Sequence, residues 1–182
     1  MAHEVEMKVW VTDWDGLSQA LRKRCSYEGT TRKEDRYFRR PDKDPKRHYG
    51  FRVRLDEGPP TVTYKIRSTE DGVERNVENE FHVDDAEAFI GMADRLGCTE
   101  YMSKVKYGEE YTCGEMTIGL YHLSEVGDFL EVETIVTDEG AVPAAVDAVR
   151  AFVREVGMES ARVESRPYGE LVRLAREGKL GS

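Results

Sequence analysis

Long apolar runs are missing from this chain. No stretch approaches the ~18 residues that a membrane-crossing helix needs. The opening Met1-Ala2-His3-Glu4-Val5-Glu6 has neither the basic nor the apolar part of a secretory signal. Secretion and membrane insertion are therefore not expected. Cysteine is scarce: Cys25, Cys98 and Cys113 are odd in number, widely spaced and form no C-x-x-C. That speaks against a disulfide framework or a zinc knuckle, and for small, half-buried thiols in a reducing cytoplasm. The four histidines show no metal-ligand spacing. No G-x-x-x-x-G-K-[ST], no G-x-G-x-x-G after a strand and no G-x-S-x-G occurs, so the familiar phosphate loops and the serine nucleophile elbow are absent.

What is abundant is charge. Of 182 residues 35% are charged and 39% hydrophobic, with a net charge of −9. The length fits one domain over residues 1–182, large enough to bury about 70% of its unfolded surface. The acidic balance argues against general nucleic-acid binding. The charge is uneven, however. Arg22 to Arg54 holds 13 Lys and Arg against five Asp and Glu. A basic stretch in an acidic protein suits a small polyanion held in a lined site.

Four segments have helical periodicity: Asp15–Cys25, Asp84–Leu96 with Asp84 as N-cap, Pro143–Val156 and Pro167–Glu177. Eight read as strands: His3–Val11, Asp35–Arg40, Tyr49–Asp56, Thr61–Ser68, Arg75–Val83, Tyr101–Tyr107, Met116–Leu123 and Phe129–Val136. Pro41–Tyr49 reads as a mobile loop and Glu57–Pro60 as a turn. The expected class is α+β, an eight-stranded antiparallel β-barrel or tunnel with peripheral helices.

The polar faces of these strands carry like-charged doublets. Glu4 and Glu6 precede Lys8 on the first strand, and Glu78/Glu80 and Glu131/Glu133 lie on later ones. Arg52/Arg54, Lys65/Arg67 and Lys104/Lys106 are the basic counterparts. Residues two apart share one face of a strand. An ordinary solvated sheet face would mix signs, since like neighbours gain nothing from proximity. Doublets make sense when something of opposite sign sits between them. Carboxylate pairs suit a hard divalent cation, and Arg and Lys pairs suit phosphate oxygens. Both together imply a metal–polyphosphate complex inside a charged barrel.

In this setting several motifs resemble one family in order along the chain. Glu4-x-Glu6-x-Lys8 resembles the E-x-E-x-K opening of the CYTH superfamily, the triphosphate tunnel metalloenzymes. Asp35-Arg36-Tyr37-Phe38 is similar to its D-x-Y-F, Arg52-Val53-Arg54 to its R-x-R, and Thr63-Tyr64-Lys65 to its T-x-K. Glu78-x-Glu80, Lys104-Val105-Lys106-Tyr107 and Gly127-Asp128-Phe129-Leu130-Glu131-Val132-Glu133 follow, with a weaker echo at Tyr168-Gly169-Glu170-Leu171. The wording is nearest the class IV adenylyl cyclase-like subgroup.

The resemblance implies an eight-stranded tunnel, often dimeric, that binds a triphosphate such as ATP, inorganic triphosphate or thiamine triphosphate with Mg²⁺ or Mn²⁺. It implies Glu4, Glu6, Glu131 and Glu133 as metal ligands. Lys8, Arg52, Arg54, Lys65, Lys104 and Lys106 would hold phosphate oxygens, and Lys8, Lys65, Glu78 and Glu80 would form the catalytic set. Two positions depart from the family: Tyr121 replaces an aspartate common in the cyclases, and Asn76 stands where an arginine is usual. A tyrosine is a poor base at neutral pH. The expected activity is therefore metal-dependent triphosphate hydrolysis, with class IV-type adenylyl cyclisation and non-catalytic polyphosphate binding as the alternatives.

Overall fold

A computed structural model describes residues 3–41, 50–70 and 73–180, apart from the side chains of 65–70, 74–76 and 78. Most of the expected Pro41–Tyr49 loop lies outside the described residues. In chain order the strands are β1 (His3–Val11), β2 (Ser26–Arg39), β3 (Gly50–Leu55), β4 (Thr61–Glu70), β5 (Val73–His82), β6 (Thr99–Cys113), β7 (Met116–Leu123) and β8 (Gly127–Val136). The helices are α1 (Trp14–Arg24), α2 (Ala86–Arg95), α3 (Val142–Glu155) and α4 (Tyr168–Arg176). Every strand pairing is antiparallel, and the ring β1-β5-β4-β3-β2-β6-β7-β8 closes on itself. No helix among the described residues is long and apolar enough to cross a membrane.

The alternation in β1 explains where the core lies. Val5, Met7, Val9 and Val11 point outward, onto Leu17 and Leu21 of α1 and Val149, Phe152 and Val153 of α3. Burying each such side chain contributes about 1.5–3 kcal/mol. The main core therefore lies outside the barrel, and Glu4, Glu6 and Lys8 are turned inside. A smaller cluster, Phe38, Val53 and Val62, is covered by Phe89 and Ile90 of α2.

Two strands are longer than expected by six residues or more. β2 begins at Ser26 rather than Asp35, and β6 runs to Cys113 rather than Tyr107. The added segments pair with each other, Thr30 opposite Glu109 and Thr31 opposite Gly108. The β2 extension has no buried apolar stripe, so it lacks the period-2 signal of a half-buried strand. A register shift accompanies Gly29, whose φ of +136° favours glycine. The N-cap of α2 is Asp85, which accepts from the Ala88 N–H at 2.9 Å, not Asp84.

The C-terminal segment closes one end of the tunnel. β5 pairs with β1 only over His3–Glu6. Beyond that, Trp10 N–H donates to the Arg162 carbonyl (2.9 Å) and Glu164 N–H to that of Lys8 (2.8 Å). The Glu164 carboxylate accepts from Trp10 Nε1 at 3.1 Å and from Arg166 Nε at 2.8 Å. Thus anchored, the chain enters α4, whose Tyr168, Leu171 and Val172 pack on Leu123, Phe129 and Trp10. Trp10 and Phe129 are in phase with Lys8 and Glu131, so this cluster is an apolar plug inside the barrel end.

Candidate functional site in the tunnel

Register sets the rows of the interior. Across β1 and β8, Glu6 faces Glu133 and Lys8 faces Glu131. Across β2, Asp35 faces Lys104 on one side and Arg54 on the other, and Lys33 faces Lys106. Carboxylates gather on the β1–β8 side and cations on the β2–β3–β6 side.

Glu4, Glu6 and Glu133 form the acidic focus, each offering one carboxylate oxygen within 4.8 Å of the others. Burial, then Glu4, Glu6 and Glu131, push the Glu133 carboxyl up to about 8. Such a set of hard oxygen donors fits a divalent cation, which would relieve that crowding. Three of the four anticipated metal carboxylates are thus brought together. The fourth, Glu131, accepts from Lys106 Nζ at 2.7 Å instead. Burial alone would raise Glu131, but Lys106 and Lys8 hold it down at about 2. The same burial lowers Lys106 to about 8, against the pull of Glu131.

Asp35 is the hub of the basic side and is fully buried. It accepts from Arg54 Nε at 2.8 Å and Nη2 at 3.1 Å, from Lys104 Nζ at 2.9 Å, and from the Tyr37 hydroxyl at 3.3 Å. Burial disfavours its charge, yet Lys104 and Arg54 hold its carboxyl well below the usual range. Arg52 donates to Thr63 Oγ1 (2.8 Å), which donates to Glu80 (3.0 Å). Lys8, buried, sits 4.5 Å from the Tyr168 ring centre. Lys65 and Glu78 face each other across β4 and β5, and their side chains lie outside the described ones. Glu80 is half-exposed and, besides Thr63, has Arg52 Nη2 at 3.9 Å.

A third group surrounds Tyr121. The ring lies along its own strand, where a Cβ on Gly119 would come within 1.9 Å of Tyr121 Cε2 and one on Gly108 within 2.8 Å of Cδ1. The two glycines make room for a ring that approaches this closely. Its hydroxyl donates to Glu110, which also pairs with Lys33, and Lys106 Nζ lies 3.6 Å from its centre. Burial, then Glu131 and Glu110, raise the phenol well above its usual value.

Sequence reading assigned no role to Asp35, Lys33, Glu110 or Tyr168. Asp35 left a signal, since it opens the Asp35-Arg36-Tyr37-Phe38 motif. Tyr168 left a weaker one in the Tyr168-Gly169-Glu170-Leu171 echo, and Lys33 and Glu110 left little, because they meet the site only through strand pairing.

A closed antiparallel tunnel with a charged interior, an outer helical core and a helical end plug is the class this fold and site define. The chain belongs to the CYTH domain family: the family model matches residues 2–168. It is 27% identical over 90 residues to an adenylate cyclase CyaB of Aeromonas hydrophila. That match takes in 50% of this chain and 47% of the relative, so the chain spans about half the length of the curated relative it matches. The structure of the PH1819 protein from Pyrococcus horikoshii OT3 superposes with a TM-score of 0.81 and 27% identity, covering 95% of this chain and 99% of that one. A Hippeastrum protein studied as an adenylyl cyclase, with a dominant triphosphatase activity, shares the fold at a TM-score of 0.65 and 15% identity, over 99% and 97% of the two chains.

Proposed function

We propose that this chain is a metal-dependent enzyme that hydrolyses a triphosphate-bearing small molecule. The observation that carries this reading is the opposition of two walls in one tunnel. Three carboxylates close enough to share one ion stand in the same tunnel as half-buried Arg54 and buried Lys104 and Lys106. A binder of bare anions gains nothing from the carboxylates, and a binder of bare cations gains nothing from the lysines.

Glu4, Glu6 and Glu133 would hold Mg²⁺ or Mn²⁺, and Glu131 would join them once phosphate draws Lys106 away. When bound, such an ion supplies charge neutralisation and polarises a phosphoryl oxygen. Lys8, Arg52, Arg54, Lys65, Lys104 and Lys106 would hold the phosphate oxygens, with Asp35 fixing Arg54 and Lys104 beforehand. Glu78 and Glu80 would orient the attacking water, and one of them would take its proton. Its oxygen bonds to the terminal phosphorus as the bridging bond breaks and the bridging oxygen keeps the electron pair. Lys8 and Lys65 would balance the charge that develops.

One observation favours adenylyl cyclisation as a second reading. Glu110 brings a carboxylate to the Tyr121 hydroxyl, on the wall where the cyclase-like aspartate is missing. The similarity to an adenylate cyclase points the same way. Product analysis with Mg²⁺ or Mn²⁺ separates the readings. A hydrolase releases orthophosphate from ATP and 3′-deoxy-ATP alike, and inorganic and thiamine triphosphate complete the panel. A cyclase gives cyclic AMP and pyrophosphate from ATP and no cyclic product from the deoxy analogue. Binding without turnover of any of the four leaves a non-catalytic module.

A further inference from the structure

Among the described residues, two buried side-chain polar atoms have no hydrogen-bond partner: Arg52 Nε and Tyr168 Oη. Both are donors, and both belong to the tunnel. Buried donors are rarely left unsatisfied in folded proteins, because each such group costs its full desolvation. Neither of the two makes a well-formed hydrogen bond, although Tyr168 Oη lies beside the Glu131 carboxylate, and an anionic ligand entering the tunnel would offer both a free acceptor.

Tyr168 is the first residue of α4 and is 7% exposed. Its ring forms the tunnel floor. The ammonium groups of Lys8, Lys104 and Lys106 lie 4.5, 4.8 and 5.6 Å from its centre. Those lysines come from β1 and β6, so one ring gathers cations from two strands of the barrel. Burial first, and then Glu131 and Glu6, raise the phenol well above its usual value, so it keeps its proton and acts as a donor. Below the ring, Leu171 and Val172 pack on Leu123 and Phe129 and close the barrel. A ligand group that reaches Tyr168 is therefore at its own end, not mid-chain.

We propose that Tyr168 is a further substrate-binding residue, whose hydroxyl donates to an oxygen of the terminal phosphoryl group at the α4 end of the tunnel. The inference rests on the triphosphate reading above and gives the ligand a direction: the phosphoryl terminus points at the floor.

The test is Tyr168→Phe, which removes the hydroxyl and keeps the ring beneath the lysines. Binding of inorganic triphosphate to metal-free protein, measured by calorimetry at neutral pH, should weaken about tenfold, as for a hydrogen bond to a charged group. The melting temperature of the ligand-free variant should equal or exceed that of the wild type, because an unsatisfied buried donor is gone. Unchanged triphosphate affinity would overturn the inference and leave the triphosphate reading standing. A lower melting temperature would also overturn it, since the hydroxyl would then be bonded within the protein. A wild type that takes up triphosphate neither metal-free nor with Mg²⁺ would sink both together.

Discussion

The β2–β3–β6 wall and the β1–β8 wall bury charge by opposite means. On the first, cations are matched within the chain: Asp35 takes Arg54 and Lys104 at 2.8–3.1 Å, and these partners override the burial that would raise its carboxyl. On the second, like charges are brought together: Glu6 opposes Glu133 across the ladder, Glu4 adds a third carboxylate, and burial with these neighbours drives Glu133 up to about 8. The basic wall is charge-matched through folding alone. The acidic wall holds a repulsion that a hard divalent cation would release. The sheet is continuous through both, so the difference lies in the partners each register row supplies.

The largest effect should come from breaking the matched wall. Asp35→Asn leaves Arg54 and Lys104 buried without their counter-charge, and denaturant unfolding should show a loss of about 3–5 kcal/mol. Inorganic triphosphate should recover part of that loss by linkage, because its oxygens offer the missing negative charge. A variant as stable as the wild type would mean that the two walls do not differ in this way.

Glu133→Gln should move the molecule in the other direction. The folded carboxyl keeps its proton up to about 8, whereas the unfolded one loses it near 4.5, so wild-type stability falls as pH rises between those values. The variant should flatten that slope and be the more stable above it. Metal-dependent turnover should drop at least about 100-fold, since a ligand of the ion is lost. Full activity at saturating Mg²⁺ would remove Glu133 from the metal set.

A smaller effect separates the walls by pH. Cation binding requires Glu133 without its proton, so Mg²⁺ affinity should climb as pH approaches and passes about 8. Anion binding gains from a charged Lys106, whose burial lowers it to about 8, so triphosphate affinity of metal-free protein should fall over the same range. Separate calorimetric titrations should give slopes of opposite sign. Parallel slopes would show one shared titrating group instead of two walls.

The smallest effect belongs to the Tyr121 corner. Tyr121→Phe removes the donor to Glu110 but leaves Lys33 paired with that carboxylate, so the stability cost should be about 1 kcal/mol. If Glu110 and Tyr121 serve a ribose hydroxyl, the variant should lose cyclic AMP formation while keeping any orthophosphate release from inorganic triphosphate.

Local pattern made the barrel and much of its lining legible. Val5, Met7 and Val9 alternate with Glu4, Glu6 and Lys8, and a strand can only send those sets to opposite faces. The same geometry put Glu131 with Glu133 and Lys104 with Lys106, and the helices carried their periodicity and end signals nearly to their observed bounds. The first half of β2 was not legible. Its residues have polar or exposed surroundings on both faces, and it is a strand because β6 supplies the ladder bonds. The order of the ring, which sets Glu6 against Glu133, could not be seen from either strand alone.

Sequence by itself thus determined which side chains share a face, which charges come in pairs, and the family to which they belong. Those are consequences of a two-residue repeat written along one strand at a time. Only the tertiary structure decided that Glu131 pairs with Lys106, that Asp35 binds Arg54 and Lys104 together, that Glu110 reaches Tyr121, and that the chain returns along β1 to set Tyr168 beneath three lysines. The reason is physical. Closing the barrel brings residues distant in sequence within a few ångströms in a site shielded from water, and there the sign and distance of each neighbour set the charge and proton of every group.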